Sequence, residues 1–194
     1  DRTSRGLGDV YKRQPMSLSL SQMVLPAYQQ TLPAVINILE KGSAHFAETG
    51  RNADDIVGLS IIDDMLPMHF QIVSVVHHSK VALASALSGE AGIPDGSLQM
   101  DFAGLCQYLK DALDAVNEAD GAALDARADE SVVFKMGQNQ MPFTTTNYLL
   151  SFSLPNFYFH ASTAYDLLRA EGVKLGKRDL SLIHISEPTR RTII

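Results

Sequence analysis

Apolar residues recur at helical spacing over most of the chain. Between residues 21 and 50, Met23, Ala27, Leu32, Ile36, Leu39 and Phe46 repeat with this period, and Gly50 stops it. Pro26 fits the first turn after Ser21, whereas Pro33 lies inside and predicts a bend or break. "RNADDIVGLSIID" reads as a helical turn and then an extended linker, with Asn52 and Gly58 as turn residues. A second long helix is predicted from Asp64 as N-cap, with Pro67 in its first turn and Gly89 at its end. Its packing side is Met68, Ile72, Val75, Val76, Val81, Leu83 and Leu87.

A polar loop, "GEAGIPDGSLQM", leads to Asp101, which caps a third helix striped by Phe102, Leu105, Leu109, Leu113 and Val116. The pattern then switches to alternation. Val132, Phe134 and Met136, followed by Met141 and Phe143, predict a small hairpin turning near Gly137, with Pro142 marking its second arm as an edge. A last helix runs from Thr145 or Thr146 through Glu171 and stops at Gly172. These elements predict an all-α fold: a four-helix bundle in one domain, residues 16–180, with a small β-hairpin or extended crossover before the last helix. Residues 1–15 and 181–194 lack periodicity and look like translated adaptor sequence. They are read as a non-native leader before Met16 and a non-native tail, which removes His184 from any site.

Composition narrows the functional classes. The chain has 45% hydrophobic and 20% charged residues, as expected of a soluble globular domain. Its net charge of −6 argues against nucleic acid as a partner. No apolar run approaches the roughly 18 residues of a membrane span. The single cysteine, Cys106, leaves no internal disulfide and fits the cytoplasm. No nucleophile–base pair and no phosphate-cradling glycine loop is found, so catalytic residues stay unknown.

Candidate chemistry gathers on the second and last helices. On the last, Leu149, Ser153, Asn156, His160, Ala164 and Leu167 share one face, and Leu150, Leu154, Phe157, Ala161, Tyr165 and Leu168 share the next. So much apolar surface implies either a central helix or a second subunit, a homodimer. Pro155 removes a backbone donor and kinks the helix just before Asn156 and His160, whose burial requires partners. On the second helix Asp64, Gln71 and His78 recur every seven residues, but Asp64 stands about 21 Å from His78 and is left as a cap. Gln71, His78, Asn156 and His160 are therefore the candidate ligand-binding residues, with Ser74 nearby. His78 and His160 are the candidate metal ligands, suited to zinc, nickel or iron. A buried hydrogen-bonded network without metal, or simple core histidines, are the other readings of the same residues. His69 and His77 are expected partly exposed and His45 at the surface or capping. Tyr158, Tyr165 and Cys106 are expected to pack.

"DMLPMHFQIVSVVHHSK" and "FTTTNYLLSFSLPNFYFHASTAYDLLRAEGVKLGKRD" resemble DUF1993, an uncharacterised bacterial family grouped with the DinB/YfiT-like proteins, which are often described as metalloenzymes. The resemblance covers residues 16–180. It implies an up-down-down-up bundle, commonly dimeric. It also implies a metal held by one histidine of the second helix and an HxxxH pair of the last. Carried over, His78 matches the first loosely and His160 one member of the pair, while Asn156 and Ala164 stand where the other would be. The function expected is small-ligand or metal binding in an inter-helix pocket. A metal-assisted hydrolase or thiol-dependent transferase, or a dimeric scaffold without catalysis, are the alternatives.

Overall fold

The structure, a computed structural model, describes residues 18–181, so the expected leader, Met16, His184 and the tail from residue 182 lie outside it. Helix α1 spans Leu20–Glu48 and starts in a capping box. The Ser19 hydroxyl accepts from the Gln22 N–H, and the Gln22 side chain accepts from the Ser19 N–H at 3.0 Å. The start is therefore Ser19, not Ser21, and Pro26 sits in the interior. The helix runs unbroken through both prolines as one long helix, so Pro33 does not break it. The carbonyls that Pro26 and Pro33 leave without a helical donor belong to Gln22 and Gln29, both exposed residues, where the loss costs least. Val24 and Tyr28 carry the early packing, and Met23 faces outward.

A 3-10 turn, Ala53–Ile56, opens the connector. Helix α2 then runs as Met68–Val76, widens into a π-helical turn at His77–Val81, and returns to α-helix at Ala82–Ser88 before left-handed Gly89. Asp64 does not cap it. The Met68 N–H donates to the Leu59 carbonyl at 2.8 Å, the His69 N–H to the Val57 carbonyl at 3.0 Å, and Phe70 and Gln71 to that of Pro67. The folded-back connector thus satisfies all four first-turn donors, leaving nothing for a carboxylate to accept. Leu87, expected in the packing side, is exposed.

Strand β1, Glu90–Ala91, arises inside the segment read as loop and pairs in parallel with β2, Ser131–Met136. Helix α3, Phe102–Asn117, is capped by Asp101, and a short α4, Gly121–Ala126, by Asp120. The expected hairpin forms: β2 runs antiparallel to β3, Asn139–Thr144, and Pro142 lies on an edge strand of the order β1-β2-β3. Val132 and Phe134 face the core, while Met136 and Met141 do not. The chain is thus mostly helical with a small three-stranded sheet.

The last long helix, α5, begins as a turn at Thr145–Asn147, continues as a π-helical stretch, Tyr148–Ser153, and then as α-helix, Leu154–Ala170. Gly172 follows in the left-handed region, and α6 is a short turn, Lys177–Leu180. Helices α1, α2, α3 and α5 pack on one core that includes Leu32, Leu39, Ile72, Leu105, Phe157 and Leu168. The second apolar face of α5 is consumed there. Phe157 meets Tyr28 edge to face at 4.9 Å, and Ala161 and Leu168 are buried, so this face is not surplus.

The two π turns face each other. Ser153 Oγ donates to the His78 carbonyl at 2.8 Å, and because that proton is used, the Tyr28 hydroxyl donates to Ser153 Oγ at 3.2 Å. Replacing Ser153 with alanine leaves both a buried phenol and a buried carbonyl unpaired. We expect a loss of about 1–3 kcal/mol in urea unfolding, and a smaller loss for Tyr28→Phe, which spares the helix-to-helix bond.

Candidate functional site

The second and last helices bring His78 and His160 together. Their rings lie parallel within 7°, centroids 5.8 Å apart. His78 is buried against Phe152 at 5.7 Å and His77 at 5.1 Å, and His160 meets Phe70 at 6.1 Å and Phe159 at 5.1 Å with the rings near perpendicular. The sheet positions this wall from behind, since Phe134 packs on Phe152 at 4.9 Å.

Gln71 fixes the chemistry of His160. Its Nε2 donates to the Leu66 carbonyl at 2.7 Å, which turns its Oε1 toward His160 Nδ1 at 2.8 Å. An amide oxygen only accepts, so the proton of His160 sits on Nδ1 and Nε2 is left with a bare lone pair. Among the described residues that Nε2 has no hydrogen-bond partner.

His78 is set differently. Its Nδ1 is sealed from solvent with no partner, as is the Ser74 hydroxyl one turn earlier on the same face. A sealed N–H with no acceptor is the costlier orphan, which favours the tautomer with the proton on Nε2. The pair therefore offers one donor, His78 Nε2–H, and one acceptor, His160 Nε2.

Two expectations change here. Asn156 turns back on its own helix and donates from Nδ2 to the Phe152 carbonyl at 2.7 Å, serving backbone next to Pro155 instead of the histidines. His77 is buried, not partly exposed, because its Nε2–H donates to the Gly92 carbonyl at 2.9 Å, just past β1. His69 is partly buried, with Nε2 unpartnered. His45, at the end of α1, bonds the Glu171 carbonyl at 3.2 Å. Tyr158 is exposed, Tyr165 half-buried, and burial pushes the half-buried Cys106 thiol up. Ser153, not singled out as a site residue, was signalled by sharing a helical face with His160.

Burial governs the electrostatics. It pushes His78 down to about 3, with His77 and His160 adding repulsion, and His160 down to about 4, with His77 adding more. His77 is lowered by burial as well, although its bond to Gly92 opposes the shift. All three rings are neutral at pH 7.

A resident metal requires more than this. Among the described residues no group of three His, Cys, Asp or Glu is placed to hold an ion, whereas zinc sites generally take three protein ligands. Ligation through His78 Nε2 would also drive its proton onto the sealed Nδ1, which lacks the second-shell acceptor that metal-bound histidines normally have. The residues present do not fit a resident metal.

A family model described as a domain of unknown function, DUF1993, matches residues 20–181. A crystal structure of a DinB family member protein from Shewanella denitrificans is similar in fold. Its TM-score is 0.68 at 21% identity, covering 83% of this chain and 90% of that one. No curated protein matches.

Two measurements check the site. In long-range nitrogen–proton NMR spectra His160 should appear as a single Nδ1–H tautomer, and Gln71→Leu should mix the tautomers and lower stability by about 1–2 kcal/mol. The pH dependence follows from the lowered values. The unfolded histidines take up protons near 6.5, where the folded ones do not. Stability is therefore full above that pH and is lost as pH falls toward 4 and then 3. The Tm should begin to drop near pH 6.5, before carboxylates titrate, and His78→Gln should flatten the fall.

Proposed function

This chain belongs to the DUF1993 family, and for it we propose metal-independent binding of a small ligand at the inter-helix histidine pair. One observation carries the reading: the relay from the Leu66 carbonyl through Gln71 to His160, which leaves an oriented, neutral acceptor at Nε2. A buried glutamine held this way is what a site uses to define a hydrogen bond, and a simple core histidine has no need of it. The ligand supplies a donor to His160 Nε2 and accepts from His78 Nε2–H. The rings of Phe70 and Phe159 beside His160 favour an aromatic or otherwise apolar body. We read the four packed helices as the DinB-type bundle. A homodimer would use the exposed Tyr158–Phe159 edge of α5, because Phe157 and Leu168 are occupied.

Phenol is a suitable probe, with one hydroxyl on one ring. Titration should shift the His78 and His160 ring carbon signals saturably, and His160→Ala should abolish the response at His78. Chain purified without a polyhistidine tag and equilibrated with zinc should retain no stoichiometric metal after desalting. Retention of one metal per chain that His160→Gln removes would overturn the reading in favour of a metal-assisted hydrolase or transferase.

A further inference from the structure

A cavity of about 180 Å³ lies in the groove between α1 and α5 and shares no residue with the surroundings of the imidazole pair. Gln30 and Thr31 form its α1 wall, and Tyr158 and Ser162 stand one turn apart on α5. Leu180 and Ser181 close it at the end of α6.

Thr31 sets this groove apart from an ordinary crease in the surface. The residue is only 5% exposed, yet its hydroxyl forms no hydrogen bond with the described residues. A buried helical threonine can satisfy itself on a carbonyl of the preceding turn. Thr163 on α5, 6% exposed, does so by donating to the Phe159 carbonyl at 2.8 Å. Thr31 does not, and because its Oγ1 is not sealed, the hydroxyl opens into the cavity that the residue lines. A hydroxyl placed this deeply can donate and accept, and leaving both capacities unused is costly.

The other walls carry the same chemistry. Gln30 and Ser162 form no hydrogen bonds with the described residues, and no charged side chain lines the cavity. The Ser181 hydroxyl donates to the Lys177 carbonyl at 2.8 Å, which leaves its oxygen as an acceptor. Neutral groups of this kind match hydroxyls, whereas a carboxylate or an ammonium group would find no counter-charge. The Tyr158 ring and the Leu180 side chain add apolar surface for C–H groups. The volume is below the roughly 300 Å³ at which drug-sized sites begin, so it suits a single ring.

We propose that this groove binds one neutral sugar ring. Its hydroxyls pair with Thr31, Gln30 and Ser162 and donate to Ser181, while a C–H face packs on Tyr158. A dimer formed through Tyr158 would compete for the same ring, so the bound sugar favours the single chain.

Three probes with one six-membered ring separate hydroxyls from shape and charge: methyl glucoside, cyclohexanol and glucuronate. Amide NMR titration of the full chain should show methyl glucoside shifting Thr31, Ser162 and Ser181 saturably. Cyclohexanol should bind more weakly by about tenfold, and glucuronate should bind no more tightly than the glucoside. Thr31→Val keeps the branched shape and removes only the hydroxyl, and should weaken methyl glucoside by about fivefold. Ser162→Ala, at an exposed position where folding is not at stake, should weaken it by about twofold or more. The proposal is sunk by any one of three results: no saturable shift, cyclohexanol or glucuronate binding more tightly than methyl glucoside, or an affinity unchanged in both variants.

Discussion

The bond from Ser153 to the His78 carbonyl is the constraint around which the site is arranged. A π-helical turn inserts a residue and shifts the backbone ladder from i+4 to i+5, so some carbonyls seek outside donors. Here two such turns meet at one point, and the hydroxyl of one serves the carbonyl of the other. Tyr28 of α1 then closes the chain, and burial pushes its phenol well above its ordinary range, so it stays a donor. Three helices are fixed in rotation by three polar atoms, and the imidazole pair inherits that alignment. Pro155 belongs to the same arrangement, since the helix ahead of it is already widened where the missing N–H would otherwise be felt.

Much of this was legible in the sequence, and its limits have physical causes. Helical period placed His78 and His160 at one level of facing helices, because seven-residue recurrence and a shared face survive the details of packing. For Asn156 the sequence shows that an amide on a packed face needs a partner but not that its Nδ2 finds one in a carbonyl of its own turn. His77 was misread through β1. A two-residue strand has no periodicity to detect, yet it delivers the Gly92 carbonyl to the ring. Asp64 looked like a cap by composition alone, and the connector's own carbonyls had taken the role.

The electrostatic character of the site follows from what it lacks. Among the described residues no carboxylate shifts the three rings toward the charged form, and their burial is opposed by the Gly92 carbonyl at His77. The centre is polar but uncharged, able to orient a ligand's hydrogen bonds and poorly suited to attract ions. The similarity to the Shewanella DinB family member extends to the fold, and within that fold this chain presents an imidazole pair of which His160 is oriented by the Gln71 amide.

The way α2 begins bears on which changes of length the chain can absorb. Its first two donors reach back to Leu59 and Val57, whereas Ser60 closes the intervening loop on itself through the carbonyls of Ile62 and Met65. Residues added or removed at the tip near Asp63 would alter only that loop. A single-residue slip between Val57 and Ser60 would move both acceptors out of reach and release the segment that carries Leu66. The orientation of His160 on α5 thus depends, through Gln71, on the register of the connector that carries Leu66.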